Sequence, residues 1–172
     1  RSHADDFGIT KSVTEDILDC FNGPLNGTSI IPNGYEFDYA ISQFKELDNK
    51  RLSVHINFLE GKPVTEIDQV PMLVGIDGLF HYSFFKLMKE YYLGSRKTKI
   101  NLINQLKLEA SAQLDKVKKS LPDGTAISID SHQYFHMLPF LFKILVQLRN
   151  EYNISYIRIP KEKIFFYLKK ET

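Results

Sequence analysis

Ala126-Ile127-Ser128-Ile129-Asp130 reads as a short β-strand with punctuation on both sides. Pro122-Asp123-Gly124 breaks the chain before it, and Pro139 suits the first turn of a helix reaching Glu151. Ser155 to Arg158 then reads as another strand. A strand, a covering helix and a second strand make the unit that forces parallel pairing, because a tight hairpin cannot join two parallel strands.

The same rhythm extends toward the N-terminus. Ser2 to Asp5 reads as the end of a strand, followed by Gly8 and a helix with Val13, Ile17, Cys20 and Phe21 on one face. Ser12 with Glu15 has the spacing of a capping box, and Cys20 is expected to point into the core. Gly27-Thr28-Ser29-Ile30-Ile31 is a second β-type run, and Phe37, Ala40, Ile41, Phe44 and Leu47 repeat at helical spacing after it. Leu52 to Asn57 is a third. The spacing then predicts helices over Tyr82 to Leu93 and Thr98 to Ser120, the second burying Ile100, Ile103, Leu106, Ala110, Leu114 and Val117.

About five strands can be read in this way, alternating with helices. The expected class is therefore α/β, an irregular or incomplete (β/α) barrel with mainly parallel strands and outer helices. A closed eight-stranded barrel takes roughly 200 residues or more, and the chain has 172. It is read as a single domain, residues 1–172. Residues 58–81 show no period and carry Gly61, Pro63, Pro71, Gly75 and Gly78, which predicts a long active-site loop. Phe80 and Tyr82 could either cover a ligand there or pack inward. The Lys-rich and aromatic tail, Lys161 to Thr172, is compatible with a strand or a surface helix.

Bulk chemistry narrows the partners. With 22 Lys+Arg against 21 Asp+Glu the formal net charge is +1, so no overall field recruits nucleic acid or an anionic membrane. No apolar run is long enough to cross a bilayer, and no signal-peptide layout opens the chain. A single cysteine, Cys20, allows no internal disulfide, which suits a reducing compartment; the cytoplasm is the expected location. The start at Arg1-Ser2-His3, without methionine, suggests an upstream stretch removed or a joined terminus.

The polar clusters fall just after predicted strands: Asp5 and Asp6 after the first, His55 and Asn57 at the third, Asp130, His132 and His136 after the fourth. In α/β folds the loops beyond the carboxyl ends of strands converge on one crevice, so such residues can meet. Two imidazoles and a carboxylate form a common open set for a divalent cation. Each residue also has a plainer reading. Paired aspartates cap helices, and a lone histidine on an apolar strand is more often a hydrogen-bonded core residue than a ligand. His3 and His81, without such company, read as surface or terminal residues.

Several linked segments resemble the YdjC-like carbohydrate deacetylases, the family that includes chitooligosaccharide deacetylases. Ala4-Asp5-Asp6-Phe7-Gly8 resembles the family's Asn-Ala-Asp-Asp-Phe-Gly, with His3 in place of the Asn. Gly27-Thr28-Ser29-Ile30 resembles its second-strand segment, and His55-Ile56-Asn57-Phe58-Leu59-Glu60-Gly61-Lys62-Pro63 resembles its His-x-Asn-Leu-x-x-Gly-x-Pro stretch. Ser131-His132-Gln133-Tyr134-Phe135-His136 followed by Pro139 resembles its Ser-His-Gln-His-x-His-x-x-Pro motif, with Tyr134 replacing the middle histidine. Arg158-Ile159-Pro160 resembles the Ile-Arg-x-Pro region after it.

The resemblance implies one divalent ion, zinc or magnesium, on Asp6, His55 and His132, with Asp5 as general base and an amino sugar or short N-acetylglucosamine oligosaccharide as substrate. Imidazole donors favour the softer cations. His136 is the expected proton donor to the leaving amine, because imidazole titrates near neutrality. Family members continue beyond Pro160, so a C-terminal part is expected to be missing; a homo-oligomer is left open. The competing readings are another metal-dependent amidohydrolase or phosphoesterase, and a sugar-binding relic impaired by the Tyr134 change and the shorter chain.

Overall fold

The computed structural model describes residues 2–160. Five strands, β1 (Ser2–Phe7), β2 (Leu25–Ile30), β3 (Arg51–Ile56), β4 (Ile127–Ser131) and β5 (Ile154–Ile157), form one sheet in sequence order. Every pairing in it is parallel. The helices are α1 (Lys11–Cys20), α2 (Phe37–Lys45), α3 (Phe84–Leu93), α4 (Arg96–Lys119) and α5 (Pro139–Leu148). Over the described residues β1 and β5 are free edges and the sheet does not close, as an incomplete barrel requires. The expected α/β class and parallel strands are therefore observed. The tail from Lys161 to Thr172 lies outside the described residues.

The sheet has two chemically distinct faces, which follows from the period of two along each strand. Ala4, Thr28, Leu52 and then Ile30, Val54 and Ile129 are in register on the face covered by helices. The opposite face carries Ser29, Ser53 and Ser128 in register, and His55 beside Asp130. Ser53 and Ser128 are joined through their hydroxyls at 2.7 Å. One face thus supplies the core, whereas the other is lined with hydrogen-bonding side chains.

Three local expectations change. Helix α1 is capped by Thr10, in extended conformation, whose Oγ1 accepts from the Val13 amide, so Ser12 lies inside the helix and forms no capping box. Cys20 is exposed, because α1 ends there and Phe21 takes the inward position. Helix α4 buries Leu102, Leu106, Glu109, Ala110, Gln113, Leu114 and Val117, whereas Ile100 is exposed. The buried stripe is rotated from the apolar one because two polar residues, Glu109 and Gln113, belong to it.

Those two polar residues fasten the segment after β3. The Glu109 carboxylate accepts from the amides of Val64 and Thr65, both at 2.9 Å, and from Gln113 Nε2 at 2.8 Å. Gln113 in turn accepts from the Asn57 amide and donates to the Asn57 carbonyl. Burial pushes the Glu109 carboxyl up, opposed by these hydrogen bonds. A buried N–H left without a partner costs about 1–3 kcal/mol. Glu109→Ala strands two of them and is expected to lower stability by about 2 kcal/mol or more in urea unfolding; an unchanged midpoint would show that other groups hold the segment.

The segment itself is well packed. Val70, Leu73, Phe80 and Tyr82 belong to the core, and Phe80 meets Phe58 edge-on at 6.4 Å between ring centres. The inward of the two expectations for Phe80 and Tyr82 is the one observed. Among the described residues no helix is long and apolar enough to cross a membrane.

Candidate metal centre

The carboxyl ends of β1, β3 and β4 bring Asp6, His55 and His132 together. Between Ala4 and Phe7 the first strand advances three residues while β2 advances two, from Thr28 to Ile30. The extra residue makes a bulge, and Asp6 absorbs it with a left-handed φ of 68°. Adjacent residues on a regular strand point to opposite faces; the bulge lets Asp5 and Asp6 serve the same end of the sheet. Gly8 follows with φ of 88°, and its carbonyl lies so close to Gly34 that a Cβ on Gly34 would overlap it. The β1 and β2 loops are thereby locked side by side.

Asp6 Oδ1 lies 3.3 Å from His55 Nε2 and 2.9 Å from His132 Nδ1. The two imidazoles meet edge-on, 5.7 Å between centres. One ligand atom from each of the three residues lies within 4.8 Å of the others. The hydrogen bonds from His132 and His55 hold the Asp6 carboxyl far below the usual carboxylate range. For His132 the bond to Asp6 raises the imidazole pKa. Burial acts against charge on His55, but its bonds to Asp130 and Asp6 prevail and raise its pKa to about 9.

Behind His55 stands Asp130, fully buried. Its Oδ1 takes the His55 Nδ1 hydrogen bond, while Oδ2 accepts from Ser29 Oγ and lies 3.1 Å from Arg158 Nη2. Burial would raise the Asp130 carboxyl; the bond to His55 and the nearby cation hold it down. An imidazole whose far nitrogen is tied to a carboxylate is oriented to present the other nitrogen to an ion. The donor set suits a divalent cation in type, count and orientation.

Arg158 ties this group to Asp5, its Nη2 donating to both carboxylate oxygens at 2.9 and 2.7 Å. His3, expected at the surface, is instead half-buried: its Nε2 is 2.6 Å from Ser29 Oγ, 3.8 Å from Asp5 and 3.9 Å from Asp130. The strand pairing that places His3 beside Gly27 carries it inward. Glu60, which the sequence reading did not single out, reaches the His132 Nε2 at 3.2 Å.

His136 is placed differently from the expected proton donor. It is buried, its amide donates to Ser131 Oγ at 2.9 Å, and that hydroxyl pairs with its Nδ1 at 2.6 Å. Its Nε2 meets the Arg158 carbonyl at 2.8 Å. Both ring nitrogens are therefore engaged, in the tautomer that donates from Nε2, and burial lowers the pKa. The preceding Gln133 and Tyr134 both have left-handed backbones, φ 50° and 55°, which turn the chain sharply after His132.

A family model described as YdjC-like protein matches residues 3–172. The chain belongs to the YdjC-like family. This YdjC-like chain is 30% identical over 162 residues to a carbohydrate deacetylase of Xenopus laevis, covering 92% of itself and 49% of that protein. It is 26% identical to a chitooligosaccharide deacetylase of Escherichia fergusonii, covering 95% of itself and 60% of the relative. It thus spans about half to three fifths of the length of these relatives. A crystal structure of a candidate cellobiose-phosphate cleavage protein from Enterococcus faecalis shares the fold, with a TM-score of 0.73 at 23% identity, over 93% of this chain and 58% of that one.

Proposed function

We propose that this chain carries the metal centre and general base of a carbohydrate N-deacetylase that acts on an amino sugar or a short N-acetylglucosamine oligosaccharide. The observation that carries the reading is the convergence of Asp6, His55 and His132 at the strand ends, with Asp130 orienting His55. The names of the relatives support a sugar substrate.

Asp6, His55 and His132 would hold one divalent ion, zinc or magnesium. When bound, such an ion supplies Lewis-acid polarisation of the acetamide carbonyl and makes a nearby water easier to deprotonate. Asp5 takes the proton of the attacking water, its carboxylate held in place by Arg158. The water oxygen adds to the carbonyl carbon, the C–N bond breaks, and Asp5 returns its proton to the departing amine, so that acetate and free amine result. His136 takes a positioning role: its Nε2–H holds the main chain of Arg158, and Arg158 holds Asp5.

Acetate release from N-acetylglucosamine and its short oligomers, with a panel of added cations, tests the reading. Acetate and amine in equal amounts are expected with at least one cation. No acetate with any of them, or phosphate released instead from phosphate esters, would overturn it. Asp130→Ala should lower metal affinity about 10–100-fold, measured by competition with a chelator, because it removes the acceptor that orients His55; unaltered affinity would show that packing alone fixes that ring.

A further inference from the structure

The polar face of the sheet holds a row of hydrogen-bonded side chains that runs from His3 to the metal centre. His3 Nε2 lies 2.6 Å from Ser29 Oγ, Ser29 Oγ donates to Asp130 Oδ2 at 2.5 Å, and Asp130 Oδ1 takes the hydrogen bond of His55 Nδ1. At the far end His55 Nε2 is 3.3 Å from Asp6. Ser29, Asp130 and His55 are buried, so water does not compete for the inner bonds, and His3 forms the half-buried end of the row.

The direction of each bond follows from the hydrogens available. A serine hydroxyl has one proton to give and lone pairs to accept with, whereas a carboxylate only accepts. Ser29 gives its proton to Asp130, which stands between the Arg158 guanidinium and the His55 ring. Toward His3 the same hydroxyl can therefore only accept, and the neutral His3 ring must carry its proton on Nε2. At the other end the His55 proton is fixed on Nδ1, which leaves the Nε2 lone pair for an ion.

Room for the His3 ring comes from Gly27, its partner across β1 and β2: a Cβ on Gly27 would come within 3.2 Å of His3 Nδ1. Length matters as well. The YdjC-like motif has Asn where this chain has His3, and an Asn amide nitrogen stops at the distance of Nδ1, one bond short of Nε2.

We propose that His3 is a positioning residue for the metal centre, donating through Ser29 to the carboxylate that orients His55. The role rests on the metal-centre reading and involves no contact with ion or substrate.

The test is competition between a chelator and the chain for zinc, with the wild type, His3→Leu, His3→Gln, Ser29→Ala and the His3→Leu/Ser29→Ala double variant. His3→Leu fills the space without a donor and is expected to weaken zinc binding about 3–10-fold, less than the loss of Asp130 because a hydroxyl intervenes. His3→Gln brings an amide N–H near the Nε2 position and should stay within about twofold of the wild type. Ser29→Ala should lose about as much as His3→Leu, and the double variant no more than either, since one path is cut twice. Wild-type affinity in His3→Leu, an equal loss in His3→Gln, or additive losses in the double variant would overturn the role. The nitrogen-15 shifts of the His3 ring in the metal-free wild type give a check that needs no variant. Burial lowers its pKa, so at neutral pH the ring is uncharged and should be protonated on Nε2; an Nδ1–H ring would overturn the row. No zinc binding by the wild type sinks the metal-centre reading and this role with it, whereas zinc binding left unchanged in His3→Leu sinks the role alone.

Discussion

Asp6→Ala should abolish stable metal binding and, with it, turnover. The carboxylate lies between two imidazoles, and its removal leaves His55 and His132 facing a gap with two neutral donors. His55→Ala and His132→Ala should behave alike, since three protein donors are the usual minimum for an open catalytic site. Elemental analysis after dialysis reads the result. Full occupancy in any of the three would remove that residue from the ligand set. Thermal unfolding with and without a chelator provides the complement: the metal-dependent rise in Tm expected of the wild type should vanish in all three.

Asp5→Asn is expected to separate binding from chemistry. The amide keeps the shape and can still accept from Arg158 through its oxygen, so the metal should stay. Loss of the group that takes the proton should lower kcat about 10²–10⁴-fold. A chain that loses both metal and activity would place Asp5 among the ligands, and one that keeps full activity would eliminate it as the base. The pairing with Arg158 makes the contrast with Asp6 sharp, because the two neighbouring carboxylates touch different partners.

The fold was largely legible because each strand is short and apolar on one side, and the first, second and fourth are followed by helical spacing. Strand edges moved by a residue or two, as they do where the ladder ends in a bend. The polar clusters were legible for the same reason: Asp6, His55 and His132 each lie at or just after the end of a strand, and parallel strands in sequence order deliver those ends to one side; the choice of these three as ligands came from the family resemblance.

What escaped the sequence depends on packing between distant segments. His136 was read from its chemistry alone, and only the turn at Gln133 and Tyr134 shows it tied to Ser131 and the Arg158 carbonyl. Asp130 at the end of a strand whose other polar residues are serines was a visible signal of a buried partner, yet nothing local says that His55 is that partner. Glu60 was hidden in a segment without periodicity. His3 was misread because inward placement comes from register with Gly27, which only the assembled sheet defines. Glu109 and Gln113 likewise look like solvent residues until the amides after β3 are found beneath them.

The hydrogen bond between Asp6 and His132 joins positions 126 residues apart. No local fragment can therefore assemble the centre, and an ion would gain its ligands only when the first and fourth strands have already met through the two between them. Loop closure over such a separation comes late on the way to the native state. An ion should accordingly slow the unfolding limb and leave the refolding rate nearly untouched, and the visible absorption of bound cobalt would serve as a clock for the last stage of folding.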